Sequence, residues 1–209
     1  MGDAGEILSW MRGGDWPAQF GFCYLKSMIY LIRHARPLFD TSQKVVDGQL
    51  AHLIKGYDRA GIVSPVPPLP LDTVAKVFSS DTPRAERSAR AFFPSVEPDI
   101  SEVFREAQLP KSLSFTTGLR FHVAIAIARC LWLCGYAPDG ESFGEAKQRA
   151  DIAAILLKDA VAIHGTVALV GHGFFNRLIG KSLARSGWKL ASSPGSGFGA
   201  IRGYRRMGE

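Results

Sequence analysis

The sequence predicts an α/β protein, a doubly wound and mostly parallel sheet with helices on both faces, and three observations carry that expectation. Two short apolar runs, Met28-Ile29-Tyr30-Leu31-Ile32 and Thr166-Val167-Ala168-Leu169-Val170, have the unbroken hydrophobicity of parallel strands buried on both faces. Helical patterns alternate with further short apolar runs between them. Chemistry-bearing residues gather where those runs stop: Arg33-His34 after the first and Gly171-His172-Gly173 after the second. Open α/β sheets place their ligands beyond the carboxyl ends of strands, so these tips mark a site, with Arg33, His34 and Arg36 on its rim.

The chain has 209 residues, 46% of them hydrophobic, which suits one α/β domain with a sizeable core. The formal charge of +6 and pI of about 9.4 favour an anionic ligand. The basic residues are interspersed with acids, as in Lys147-Gln148-Arg149-Ala150-Asp151, and no long Lys/Arg run argues for nucleic acid or a membrane as partner. Three cysteines do not make a disulfide framework, so a reducing, cytoplasmic location is expected. Cys130 and Cys134, four apart on one helix face, read as small buried hydrophobes rather than metal ligands. The stretch from Val123 to Ala137 is too short for a bilayer and reads as a core helix. Residues 1–27 carry no export signal and read as an extension before a single domain spanning 28–209.

In order along the chain, the first strand ends at Pro37, and Gln49 to Ala60 places Leu50, Leu53, Ile54 and Tyr57 at helical spacing, with His52 on its solvent side. Four prolines between Pro65 and Pro70 exclude a central strand. Val74 to Ser80 reads as the second strand. Asp81 or Thr82 then caps a helix with Pro83 in its first turn, which puts Arg84 where the helix dipole favours an anion; Arg87 and Arg90 read as solvated. Asp99 to Phe104 reads as a third strand with Glu106 just past its tip, on the rim of the two histidines, and Glu102 as its rival within the strand.

A helix is expected from Leu119 to Gly135, with His122 near its start a packed or capping residue rather than a ligand. A second begins at the Ser142/Glu145 capping box and ends at Gly165, with Phe143, Ala146, Ala153, Leu156, Leu157, Ala160 and Ile163 as its buried stripe and His164 complementing its dipole. After the histidine strand, Phe174 to Ser186 reads as a helix, and Phe198 to Tyr204 as an edge strand. The loops Asp40 to Gly48 and Lys111 to Gly118 are expected to wall the pocket, with Leu109, Leu113 and Phe115 as an apolar rim.

These residues suit phosphoryl transfer. Hydrolysis of a phosphomonoester needs positive charge gathered around the transferring group, and Arg33, Arg84 and one or both histidines supply it. Arginine pairs bidentately with phosphate oxygens and stays charged. His34 is placed to act as nucleophile, given one free ring nitrogen and the other held by a backbone carbonyl. The leaving alkoxide needs a proton, for which Glu106 is the candidate. No metal and no cofactor is required.

Leu31-Ile32-Arg33-His34-Ala35, Ser79-Ser80-Asp81-Thr82-Pro83-Arg84-Ala85 and Gly171-His172-Gly173, in this order, resemble the three signature segments of the histidine phosphatase superfamily, the phosphoglycerate-mutase-like enzymes. The resemblance runs from Met28 to about Gly187. It implies a phosphoglycerate-mutase-like fold, His34 as the phosphorylated nucleophile, Arg33, Arg84 and His172 around the phosphoryl group, and Glu106 as proton donor. Gly140-Glu141-Ser142 with Arg149 is similar to a segment of the phosphatase branch. Two departures stand out. The usual Arg-His-Gly is Arg33-His34-Ala35, and the mutases' Ser-x-Trp-Asn has no counterpart in Leu38-Phe39-Asp40-Thr41-Ser42. The second favours a phosphatase acting on phosphorylated small molecules or phosphoproteins over a mutase; the first motivates a third reading, a phosphate- or protein-binding module of weak activity.

Overall fold

A computed structural model of the chain describes residues 27–46, 48–115, 118–192, 195 and 197–206, so residues 1–26 of the expected extension, with Cys23, lie outside the described residues. In chain order the elements are β1 (Met28–Arg33), β2 (Lys44–Val45), α1 (Leu50–Arg59), β3 (Lys76–Ser80), α2 (Pro83–Phe92), β4 (Asp99–Ser101), β5 (Leu119–Arg120), α3 (Phe121–Leu133), α4 (Phe143–His164), β6 (Val167–Gly171), α5 (Gly173–Arg185), β7 (Trp188–Ser192) and β8 (Ile201–Arg206). Six strands form one sheet in the order β4-β3-β6-β1-β8-β7. Strands β4, β3, β6 and β1 are parallel, and β8 runs against both β1 and β7.

The two apolar runs are the central strands because both their faces are covered. Ile29, Leu31, Val167 and Leu169 enter a core with Ala146, Ala150, Ala153 and Leu157 of α4 and Phe175, Ile179 and Leu183 of α5. The alternate residues Ile32, Ala168 and Val170 meet Ala89 and Phe92 of α2 on the other face. Helix α5 lies close against β8 at Gly180, where a Cβ would fall 2.1 Å from the Tyr204 hydroxyl. Among the described residues no helix is long and apolar enough to cross a membrane.

Several boundaries differ from expectation, each for a local reason. The third strand stops at Ser101, whose hydroxyl accepts the Val103 N–H (3.3 Å) and turns Glu102–Phe104 into a 3₁₀ turn. Leu119 and Arg120 are not helical: they pair with Lys44 and Val45, a strand inside an expected loop. This two-stranded ladder sits over a small core of Val45, Leu50, Leu53, Ile54, Phe121 and Ala124, and Leu109, Leu113 and Phe115 pack against that core. Helix α3 is buried along one side only, and Cys130 and Cys134 lie on its exposed side rather than in the core. On α4 the buried stripe is Ala146, Ala150, Ala153, Ala154, Leu157, Ala160 and Val161, while Leu156 and Ile163 are exposed at 43% and 77%. The C-terminal strand is not the edge: β8 runs between β1 and β7, and β7 forms the edge.

Candidate active site

Three neighbouring strands, β3, β6 and β1, end side by side. Each delivers part of one cluster. His34 follows β1 and extends its ladder by one bond, His34 N–H to the Gly171 carbonyl at 2.9 Å. His172 follows β6 and is the N-cap of α5. Ser80 ends β3, and Thr82 caps α2 without a side-chain bond, so Pro83 opens the helix and Arg84 falls in its first turn, as expected. Asp81, the other expected cap, is paired with Arg105 instead.

The rings of His34 and His172 stand edge to face with centroids 5.3 Å apart. Arg84 reaches them from α2, its Nη2 3.4 Å from His172 Nδ1. All three are buried, at 2%, 1% and 1% exposure. The hydrogen bonds also fix the tautomers. His34 Nδ1 lies 2.7 Å from the Ala35 carbonyl, which only accepts, so Nδ1 carries the proton and Nε2 is bare. Arg84 only donates, so His172 Nδ1 accepts and its Nε2–H points to Ser80 Oγ at 3.0 Å and Thr82 Oγ1 at 3.3 Å.

Burial, then Arg84, lowers the His34 pKa to about 3, against a push upward from the Ala35 hydrogen bond. Burial, Arg84 and His34 hold His172 well below the usual histidine value. Both imidazoles are therefore neutral near pH 7. The cations that act on both imidazoles are Arg84 and Arg33.

Arg84 is anchored by α1. Its Nη1 donates to the Tyr57 carbonyl (3.0 Å), its Nη2 to Asp58 (3.1 Å), and its guanidinium lies 4.7 Å over the Tyr57 ring. Its buried Nε has no partner among the described residues. Arg33 lies on the other side, its Cζ 4.2 Å over the Phe198 ring, which itself stands 5.5 Å from the His34 ring. Gly173 makes room for it, since a Cβ there would come within 3.3 Å of Arg33 Nε. Arg36, by contrast, is exposed and outside the cluster.

Glu106 rather than Glu102 joins the site. Its carboxylate accepts the N–H groups of Ala107 (3.0 Å), Phe174 (3.2 Å) and Phe175 (2.8 Å), which pins it to the first turn of α5 beside His172. Glu102 is turned out to solvent and pairs with Arg105. Arg149 clamps the turn that leads to Glu106: it forks onto Glu141 with two 2.7 Å bonds and donates to the Val103 and Arg105 carbonyls, each at 2.8 Å.

Sequence reading missed Tyr57, Asp58, Ser88 and Phe198. Ser88 accepts the Ala35 N–H (2.8 Å) and donates to the Arg84 carbonyl (2.6 Å), tying the β1 tip to α2. Ser80 and Thr82 lay inside a segment singled out for Arg84, but nothing there announced that they would hold His172. Tyr57 and Asp58 had no signal, because their partner stands in another element.

An imidazole with one free nitrogen thus stands between two arginines at the tips of parallel strands of an α/β sheet. The family model of the histidine phosphatase superfamily (branch 1) matches residues 29–194, and this chain belongs to that superfamily. Its fold is shared with a phosphoglycerate mutase from Bacillus anthracis, at 14% identity and a TM-score of 0.55 over 86% of this chain and 88% of the other. A mycobacterial glucosyl-3-phosphoglycerate phosphatase also shares it, at 16% identity and a TM-score of 0.50 over 76% and 80%. Among curated proteins none matches the chain.

Proposed function

We propose that this protein is a metal-independent phosphatase that hydrolyses phosphomonoesters through a phosphohistidine on His34. One observation carries the reading: the Ala35 carbonyl holds His34 Nδ1–H and leaves a bare Nε2 beside Arg84 and His172. Family membership adds to it, because the superfamily includes phosphatases and mutases.

In the first step Nε2 attacks phosphorus, the ester P–O bond breaks, and Glu106 gives its proton to the departing alkoxide. In the second, the Glu106 carboxylate takes a proton from water, the hydroxide attacks phosphorus, and the P–N bond breaks to release phosphate and restore His34. Arg33 and Arg84 neutralise the equatorial oxygens, and the unpartnered Arg84 Nε is a donor held ready for one of them. His172 is a further donor, whose Nε2–H becomes available when the Ser80 and Thr82 hydroxyls give way to a phosphoryl oxygen.

The experiment is para-nitrophenyl phosphate hydrolysis with acid-labile phosphoenzyme trapping. His34→Ala is expected to lose at least about a thousandfold in kcat and all trapped phosphate. Full retention of turnover by that variant ends the proposal. Exchange of phosphate between 2- and 3-phosphoglycerate without net hydrolysis establishes a mutase in its place, and binding of phosphoesters with no turnover establishes a binding module.

A further inference from the structure

Arg129 of α3 is half-buried, and the proposed mechanism does not use its charge. Its Nη2 donates to the Ala107 carbonyl at 3.1 Å. Its guanidinium lies 4.4 Å over the Phe174 ring and 4.8 Å over the Trp132 ring. Trp132 is itself fixed, edge to face with Phe174 at 5.7 Å and with its Nε1–H donating to the Glu141 carbonyl at 2.6 Å.

These contacts converge on Glu106. Three backbone N–H groups hold its carboxylate, those of Ala107, Phe174 and Phe175. Arg129 grips the first two of those residues, one by its carbonyl and the other by its ring. Arg149 grips the third, its guanidinium 3.9 Å over the Phe175 ring, and donates to the Val103 and Arg105 carbonyls upstream. Arg149 therefore clamps the chain before Glu106, and Arg129 the chain after it.

The second clamp comes at a cost. Among the described residues Arg129 makes no ion pair, and its buried Nη1 has no hydrogen-bond partner. Burial pushes its pKa down, against the pull of Glu106 and Glu141. An apolar side chain of similar length would fill the slot beside the two rings without that penalty, so packing alone does not account for the charge.

We propose that Arg129 is a second positioning residue for Glu106, which keeps the carboxyl aimed at the leaving oxygen by tying Ala107 to the first turn of α5. The inference rests on the phosphatase reading and deepens it. Proton delivery matters when the leaving group departs as a strong base, so a displaced carboxyl is felt by some substrates and not by others.

Two esters that differ by one methylene test it: para-nitrophenyl phosphate, whose phenolate leaves unprotonated, and para-nitrobenzyl phosphate, whose alkoxide needs the proton. kcat/KM reports the steps up to P–O cleavage, which separates proton delivery from the later hydrolysis of the phosphohistidine. In Arg129→Met, whose thioether suits a place beside aromatic rings, kcat/KM is expected to fall at least about tenfold for the benzyl ester and less than about twofold for the phenyl ester. Arg129→Lys is expected to recover part of that loss. Equal losses on both esters, or none on either, overturn the positioning role, while wild-type hydrolysis that His34→Ala abolishes leaves the phosphatase reading standing. If Arg129→Met does not fold, Arg129→Lys decides, with a loss at least about threefold greater on the benzyl ester expected and its absence fatal. Hydrolysis of neither ester by the wild type removes the phosphatase reading and the positioning role together.

Discussion

Two neutral imidazoles buried beside arginines make the site sensitive to acid. In the unfolded chain a histidine takes up a proton near pH 6.5, but in the folded chain His34 does so at about 3. Between those values the unfolded state binds more protons, so stability is intact above about pH 6.5, falls by up to ~1.4 kcal/mol per pH unit for each such histidine, and levels off near the folded value. His172 adds a loss in the same direction. The expected outcome is a Tm that drops from about pH 7.5 to about pH 4.5, and drops less in His172→Asn; a flat wild-type profile contradicts it. Ala35 is the other residue with a testable consequence. It departs from the family's glycine, yet no described residue other than glycine has positive φ, and its methyl group is buried in the core cluster that also holds Ile32 and Ala89. Ala35→Gly is therefore expected to cost ~1 kcal/mol in stability, read by denaturant unfolding, without raising kcat. At this scale the sequence singled out Arg33, His34, Arg84, Glu106 and His172, each next to a strand end or a helix start, but not the Ser80 and Thr82 hydroxyls that meet His172 there. It concealed Tyr57, Asp58 and Phe198, which reach the site across tertiary contacts that leave no periodic trace.

At the scale of elements, the strands and helices that form by their own patterning were legible, and those that form by partnership were not. β1 and β6 are unbroken apolar runs, and α4 carries its own capping box at Ser142 and Glu145. β7 has one buried residue, Trp188, and β2 and β5 are two residues each, strands only because they meet one another. The segment Gly140-Glu141-Ser142 with Arg149 shows how an element serves the site from outside it. Arg149 lies over the Phe175 ring at 3.9 Å and donates to two carbonyls of the turn before Glu106. It is a positioning residue. Arg149→Met is expected to lower kcat about tenfold with little change in KM, and to cost ~3 kcal/mol because Glu141 is left partly buried and unpaired. Adding Glu141→Gln restores part of the stability but not kcat, since the carbonyls remain unclamped. Loss of stability with kcat intact would show that Arg149 only holds the fold.

At the scale of the molecule, the charge is polarised. From Ala160 to Gly208 the sequence has seven basic residues and no acidic one, against a net charge of +6 for the whole chain, so the remainder is close to neutral. Those seven belong to α5, β7 and β8, adjacent elements on one flank of the sheet, and all but Arg202 are exposed. Arg185 is offset by Asp151, while Lys189 and Arg205 stand directly opposite each other across β7 and β8. Like charges paired in that way cost stability, which an anion-attracting flank offsets with faster encounter. The tips of β1 and β6 adjoin this flank, so under the proposed function a phosphomonoester dianion meets a positive field before it meets Arg33. The field acts over a Debye length that shrinks from about 30 Å at 0.01 M salt to about 8 Å at 0.15 M. kcat/KM is therefore expected to fall several-fold over that range while kcat changes little, because chemistry inside the buried pocket is not screened. Replacing Lys181, Lys189 and Arg205 by glutamine, all exposed and away from His34, Arg84 and His172, should flatten the salt dependence. If it leaves the slope untouched, the steering belongs to Arg33 and Arg84 alone.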